Sequence, residues 1–214
     1  MKRLFISKSQ SELTILPSFC EAKGISLVAQ SLIRFESISF TVTQPYEVIF
    51  FGSIRATRYF LERENIKEGT AVACIGETTA DRIRALGIHV DFIGEKSGQP
   101  DQVADEFIRW VGQRKVLIPC SEQSNRSIAK KLPVEQYEEV QVYRTLDACQ
   151  SIADCDAYVF TSPSNVISFL TCNSKPEGQV IAWGETTANA LQEVGIHVAK
   201  TLQHSTETAL LAFL

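Results

Sequence analysis

The chain has 214 residues, 44% hydrophobic and 21% charged, with a formal net charge of −4. That length and apolar share suffice for one large or two small packed domains, and 11 Gly with 7 Pro exclude collagen-like, low-complexity and disordered classes. No apolar run nears the roughly 20 residues a membrane helix needs, and no Lys/Arg cluster offers a footprint for a nucleic-acid backbone, so a soluble, cytoplasmic α/β protein with neither a nucleic-acid nor a membrane partner is expected.

In chain order, Met1-Lys2-Arg3 is followed by only three apolar residues, too few for a signal-peptide core. Arg3–Ser7 is therefore a predicted first strand, leading through a polar loop and a helix to an extended run over Ile25–Ile33. Strands ending at Ser53 and Gly76 each precede a helix. In the helix after Gly76, Ala80, Ile83 and Leu86 form a narrow apolar stripe suited to packing on a sheet, and Gly87 stands where a C-cap glycine belongs. The second half repeats this order. Lys115–Pro119 is a strand followed by a loop and a helix, and Glu138–Thr145 is extended. Strands end at Ser162 and Gly184, and a stripe of Ala188, Leu191 and Val194 leads to Gly195. A last helix spans Thr206–Leu214. Such alternation implies parallel sheets covered by helices.

The two halves also share residues. Gly76-Glu77-Thr78-Thr79-Ala80 recurs 108 residues later as Gly184-Glu185-Thr186-Thr187-Ala188, and in each copy Gly-Ile-His-Val begins 11 residues after the first Gly. The apolar run into Ser53 echoes that into Ser162 at an offset of 109, and Arg3–Ile6 pairs more faintly with Val116–Pro119 at 113. This is a duplicated half-chain unit, too few copies for a solenoid.

Six scattered cysteines without C-x-x-C, and three histidines, are poor material for zinc. Reduced thiols rather than a structural disulfide are expected in a chain without an export signal. In open α/β sheets ligands bind at the carboxyl ends of the strands, where helix N-termini present free N–H groups. The residues there are Lys8 with its serine neighbours, Ser53 with Arg55, Thr78-Thr79, the run Ser121 to Arg126, Ser162 with Ser164, and Thr186-Thr187. They make an inventory for a multiply charged anion and offer little for covalent or metal catalysis; G-x-G-x-x-G, P-loop, H-E-x-x-H and G-x-S-x-G motifs are all missing. Each residue has a plainer reading. Thr78 with Asp81 fits a capping box, Ser53 and Ser162 fit N-caps, and Arg55 and Arg126 fit solvated charges. Tyr143 fits a packed strand aromatic, the Gly-Ile-His-Val histidines open the next strand, and Trp110 and Trp183 fit the core.

Together these motifs resemble the uroporphyrinogen-III synthase family, over nearly the whole chain. The resemblance rests on Phe160-Thr161-Ser162-Pro163-Ser164, on Gly184-Glu185-Thr186-Thr187-Ala188-Asn189-Ala190-Leu191, on Val142-Tyr143-Arg144-Thr145 and on the turn from Pro119 through Arg126. One departure is Phe51-Gly52-Ser53-Ile54, where the family usually has Thr and Pro around that Ser. The resemblance implies two similar lobes, each a parallel sheet flanked by helices, joined by two extended linkers with a cleft between. One lobe would be 1–34 plus 148–214 and the other 38–140, with linkers near 35–37 and 141–147.

It further implies a cyclising hydro-lyase without cofactor or metal. The substrate would be hydroxymethylbilane, a linear tetrapyrrole with carboxylate arms, which loses its terminal hydroxyl as water while the last ring inverts through a spiro intermediate. Tyr143 would meet the departing hydroxyl. Thr79, Thr187, Ser53 and Ser162, with Thr78, Thr186 and Ser164, would bind carboxylates, helped by Arg55, Arg126 and Lys8. The protein would be a monomer, with transient hand-over from hydroxymethylbilane synthase. Two alternatives remain: a non-catalytic two-lobed sensor closing on a small anion, and a nucleotide-sugar or sugar-phosphate enzyme, which would need a base that the sequence does not offer.

Overall fold

The structure, a computed structural model, describes residues 1–96 and 98–214. The first half runs β1 (Arg3–Ile6), α1 (Leu16–Ala22), β2 (Ser26–Ala29), β3 (Ile33–Ser37), β4 (Val48–Phe51), α2 (Ile54–Leu61), β5 (Ala71–Cys74), α3 (Glu77–Arg84), β6 (Phe92–Ile93) and α4 (Pro100–Val111). The second half runs β7 (Val116–Ser121), β8 (Tyr137–Asp147), β9 (Ala157–Phe160), α5 (Pro163–Cys172), β10 (Gln179–Ala182), α6 (Glu185–Glu193), β11 (Lys200–Thr201) and α7 (Glu207–Leu211).

The chain divides into two compact units, one of Met1–Arg34 with Leu146–Leu214 and one of Phe35–Thr145. It passes from one to the other inside β3 and again inside β8.

In the first unit the sheet order is β11-β10-β9-β1-β2, with every pair parallel. By order of appearance within the unit this is 2-1-3-4-5, a doubly wound sheet whose order reverses between β1 and β9. Along β1, Leu4 and Ile6 face a core layer with Leu16, Trp183 and Leu210. Phe5 faces the opposite layer, with Phe160, Phe169 and Leu191. Strands buried on both faces need continuous apolar runs, and both β1 and β9 supply them.

The second unit has the sheet order β3-β8-β7-β4-β5-β6, parallel from β8 to β6. With β7 and β8 taken as strands one and two this is again 2-1-3-4-5, so the same sheet is entered at its third strand. Phe51, Phe60, Ile83 and Tyr143 pack on one face, and Phe50, Phe107 and Ile118 on the other. The duplication is thus a circular permutation in space.

Sheet register corrects the faintest echo. Leu4 sits opposite Ala157 and Val116 opposite Val48. Because Ala157 corresponds to Val48 at the offset of 109, Leu4 corresponds to Val116, an offset of 112 rather than 113.

Other expectations also shift. The Ile25–Ile33 run is broken into β2 and the start of β3. The helix expected after Pro119 shrinks to a 3-10 turn at Ala129–Lys131, because the run before it is polar and Arg126 takes a left-handed φ of 57° that no helix continues. Leu86 is 46% exposed. Helix α3 ends at Arg84, and Ile88 beyond the turn packs on the core in its place. The glycine expectation holds at both ends. Gly87 and Gly195 have φ of 81° and 70°, and the amides of Ile88 and Ile196 reach back to Ile83 and Leu191, closing Schellman turns.

The cysteines differ as well. Cys149 and Cys172 are joined in a disulfide, while Cys20, Cys74, Cys120 and Cys155 are free. The 23-residue spacing carried no signature; the fold brings the chain after β8 against the end of α5.

Candidate functional site

The local chemistry begins at four helix starts just beyond strand ends. Ser53 and Ser162 stand in extended backbone as N-caps of α2 and α5, their hydroxyls accepting from the amides of Ala56 at 3.2 Å and Asn165 at 3.3 Å. The cap reading of both serines therefore holds, and it leaves each hydroxyl proton free for a ligand while amides of the first turn remain unpaired. Helices α3 and α6 instead start at Gly76 and Gly184, with no side-chain cap. The capping box is accordingly not formed. Thr78 already lies inside the first turn, and Asp81 pairs with Arg84 at 3.1 Å. In the second copy Thr187 is buried and Thr186 exposed, whereas Thr79 is half-buried and Thr78 exposed. The repeated Thr-Thr thus turns its second hydroxyl inward.

Tyr143 owes its place to a β-bulge. Cys120 pairs with Gln141, but Ser121 pairs with Tyr143, so Val142 is an extra residue on β8. A bulge breaks the alternation of a strand and re-aims side chains. Val142 and Tyr143 consequently face the same core layer. The Tyr143 ring stacks on Tyr59 at 5.3 Å and meets the edge of Phe35 at 5.9 Å. Arg55 lies over Phe35 at 3.5 Å and over Tyr143 at 5.9 Å, a cation on aromatic faces rather than a freely solvated charge. Burial pushes the Tyr59 phenol up, with Glu62 adding to it, so it stays protonated near neutral pH.

Tyr143 and Ser53 both line a cavity of about 400 Å³ in the second unit, at the carboxyl ends of β4 and β7 where the strand order reverses. On its wall Arg126 is bound through Nε and Nη2 to Glu139 Oε2, each at 2.6 Å, and reaches the Tyr137 hydroxyl at 3.3 Å. Arg126 is thus already neutralised by a protein carboxylate. Glu139 Oε1 is buried without a hydrogen-bond partner. Burial first, and Glu139 second, push the Cys120 thiol up to about 11, which leaves no thiolate for nucleophilic chemistry at neutral pH. Among the described residues no group of three or more His, Cys, Asp or Glu could hold a metal ion.

In the first unit Lys8 lies over the Trp183 ring at 5.3 Å, Ser164 is exposed, and Trp183 belongs to the core. The structure brings Ser53, Arg55, Arg126 and Tyr143 into one neighbourhood, and gathers Lys8, Ser162, Ser164, Thr186 and Thr187 in the other unit. Thr78 and Thr79 belong to the second unit but do not line that cavity.

Sequence reasoning missed Asn165, which is buried with all its polar atoms engaged. Its Nδ2 donates to Ser162 Oγ at 3.0 Å and its Oδ1 accepts from the Leu32 amide at 2.8 Å. It also missed Ser168, whose hydroxyl lies at hydrogen-bond distance from the Leu32 carbonyl and the Asp147 carboxylate. That contact, together with the Cys149 amide and the Thr171 hydroxyl, holds the Asp147 carboxyl below its ordinary value. A polar residue at an apolar helix position was the only available signal for either.

Comparison with known proteins shows the family and the fold. A family model described as uroporphyrinogen-III synthase HemD matches residues 16–212. The structure is similar to a uroporphyrinogen-III synthetase from Helicobacter pylori, with a TM-score of 0.75 at 19% identity, covering 100% of this chain and 98% of that one. It is also similar to a mutant uroporphyrinogen III synthase from Thermus thermophilus, with a TM-score of 0.63 at 14% identity, covering 100% and 97%. At those identities the likeness concerns the fold. Comparison with curated proteins gives no match.

Proposed function

This chain belongs to the uroporphyrinogen-III synthase family, cyclising lyases of porphyrin biosynthesis, and we propose that its own residues act on hydroxymethylbilane as follows. The helix-start amides and hydroxyls of Ser53, Thr78, Thr79, Ser162, Ser164, Thr186 and Thr187 bind substrate carboxylates. A chain of net charge −4 can hold a polyanion this way, because hydrogen bonds to a carboxylate need aimed donors rather than many cations. Lys8 and Arg55 add local positive charge, each held on an aromatic face. Arg126, already paired with Glu139, acts through that pair by shaping the cavity wall.

Tyr143 donates a hydrogen bond to the terminal hydroxyl as its C–O bond breaks, and the hydroxyl leaves as water with the proton given up by the N–H of the pyrrole ring that carries it. A phenol is a weak proton donor, so orientation carries most of its effect. The remaining chemistry is positional: the last ring must attack through its substituted carbon to form the spiro intermediate, a path favoured by holding the reacting atoms close. The chain acts as a cytoplasmic monomer and takes its substrate by transient hand-over from hydroxymethylbilane synthase, which keeps the linear tetrapyrrole from closing uninverted in solution.

The observation that carries this reading is the bulge that turns Tyr143 into the same cavity as Ser53. The test supplies hydroxymethylbilane generated in situ and separates isomers I and III after oxidation. Isomer III should dominate with the unaltered chain and fall with Tyr143→Phe while the fold persists. Type I product alone, at the uncatalysed rate, refutes the activity; an unchanged Tyr143→Phe rate removes Tyr143 from the chemistry.

A further inference from the structure

Each unit has its own sheet of the same strand order, but the two treat the reversal point differently. In the first unit it is stitched shut. Ser7 donates its amide to the Val159 carbonyl at 2.9 Å, its hydroxyl accepts from the Thr161 amide at 2.8 Å, and the Thr161 hydroxyl donates to the Ser7 carbonyl at 2.7 Å. Ser7 is buried as a result. By sheet register the equivalents in the second unit are Pro119 for Ser7 and Gly52 for Thr161. Proline has neither the amide hydrogen nor the hydroxyl, and glycine has no side chain, so every bond of the stitch that needs those groups is lost. Pairing of β4 with β7 accordingly stops at Ile49 with Leu117, and the cavity opens between Gly52 and Pro119.

Gly52 is not there for its backbone. It is not among the glycines of positive φ, and a Cβ built on it meets nothing within 4 Å. The missing side chain therefore leaves space. Phe50, Ile75 and Ile118 give this space an apolar floor, while Ser53, Ser121 and Ser124 give it a hydroxyl rim. The Arg126–Glu139 pair leaves the wall without net charge. A flat apolar ring fits such a floor, and an anionic arm on the ring fits such a rim.

We propose that the crevice opened by Gly52 and Pro119 is a subsite for one pyrrole ring and its carboxylate arms, and that Gly52 is the residue that keeps it open. The subsite rests on the function proposed above, whose substrate is a polycarboxylated pyrrole chain. It makes the two units unequal at the strand-order reversal: the open unit seats a ring there, while in the other unit Ser7 and Thr161 close that point.

The experiment uses the full chain and a monopyrrole carrying one acetate and one propionate arm, followed by amide NMR shifts. The probe should shift Gly52 and Ser121. The double variant Gly52→Thr with Pro119→Ser, which restores the groups of the stitched unit, should abolish those shifts and weaken binding about ten- to a hundredfold, the loss of one or two hydrogen bonds to a charged arm. Circular dichroism checks that it is folded; if it is not, Gly52→Thr alone, which fills the same space, is read in its place. Shifts confined to other residues, or equal binding by the folded variant, overturn the subsite. Isomer III formation by the unaltered chain is scored separately. If that fails while the monopyrrole still seats at Gly52, the function falls and the subsite stands; if turnover is normal and nothing shifts at Gly52, the reverse holds.

Discussion

Replacing Asn165 with Ala takes two hydrogen bonds from a residue that is only 3% exposed. The first is accepted from the Leu32 amide at 2.8 Å, and Leu32 is itself fully buried. An amide left dry and unpaired costs about 1–3 kcal/mol. The second, from Nδ2 to Ser162 Oγ at 3.0 Å, is worth about 1 kcal/mol, because that oxygen keeps its bond from the Asn165 amide. Together the substitution should destabilise the fold by about 2–4 kcal/mol, lowering Tm by roughly 5–15 °C for a chain of this size. Thermal and urea unfolding measure it, with Ser164→Ala on the exposed side of the same turn as the control, expected within about 0.5 kcal/mol of the unaltered chain. If Asn165→Ala also falls within 1 kcal/mol or so, the Leu32 amide is finding another partner and Asn165 does not tie the Ser162 turn to the chain at Leu32.

Thr187→Ala should lower kcat/KM by the equivalent of about 1–3 kcal/mol if its hydroxyl meets a substrate carboxylate; an unchanged value would leave Thr187 a helix residue only. Reducing the Cys149–Cys172 disulfide, or Cys172→Ser, opens a cross-link spanning 23 residues and should cost about 3 kcal/mol by loop entropy. Equal Tm with and without reductant would count against it. Burial would raise the Glu207 carboxyl, but the amides of Leu16, Thr14 and Ile15 more than offset this and hold it below its usual value. A lowered folded pKa contributes stability that is complete above the unfolded value and lost as pH falls through the folded one. The deficit of Glu207→Gln should thus be full at neutral pH and vanish in acid. Urea midpoints at both ends test this, and a deficit independent of pH would refute it.

Much of the architecture was legible because it is written in local pattern. Doubly buried strands such as Val48–Phe51 require unbroken apolar runs, and Gly87 and Gly195 mark turns that need positive φ. Caps were equally readable at Ser53 and Ser162. The site was legible only as a set of residue types. Nothing near Val142 announces a bulge, since the extra residue exists only relative to β7. Arg126 reads as a free cation until the fold sets it on Glu139, 13 residues away. Leu86 failed because the helix stopped before its stripe did.

By itself the sequence determined the duplicated strand–helix order, the helix starts with their hydroxyls, and the absence of any excess of cations, all of which follow from periodicity and composition along the chain. Tertiary structure decided which residues meet. Sheet register made Pro119 and Gly52 the counterparts of Ser7 and Thr161, and the fold joined Cys149 to Cys172 and wrapped Asn165 around Ser162 and Leu32. The reason is physical: a helix start needs only its neighbours in sequence, whereas an open crevice depends on what two distant strands both lack.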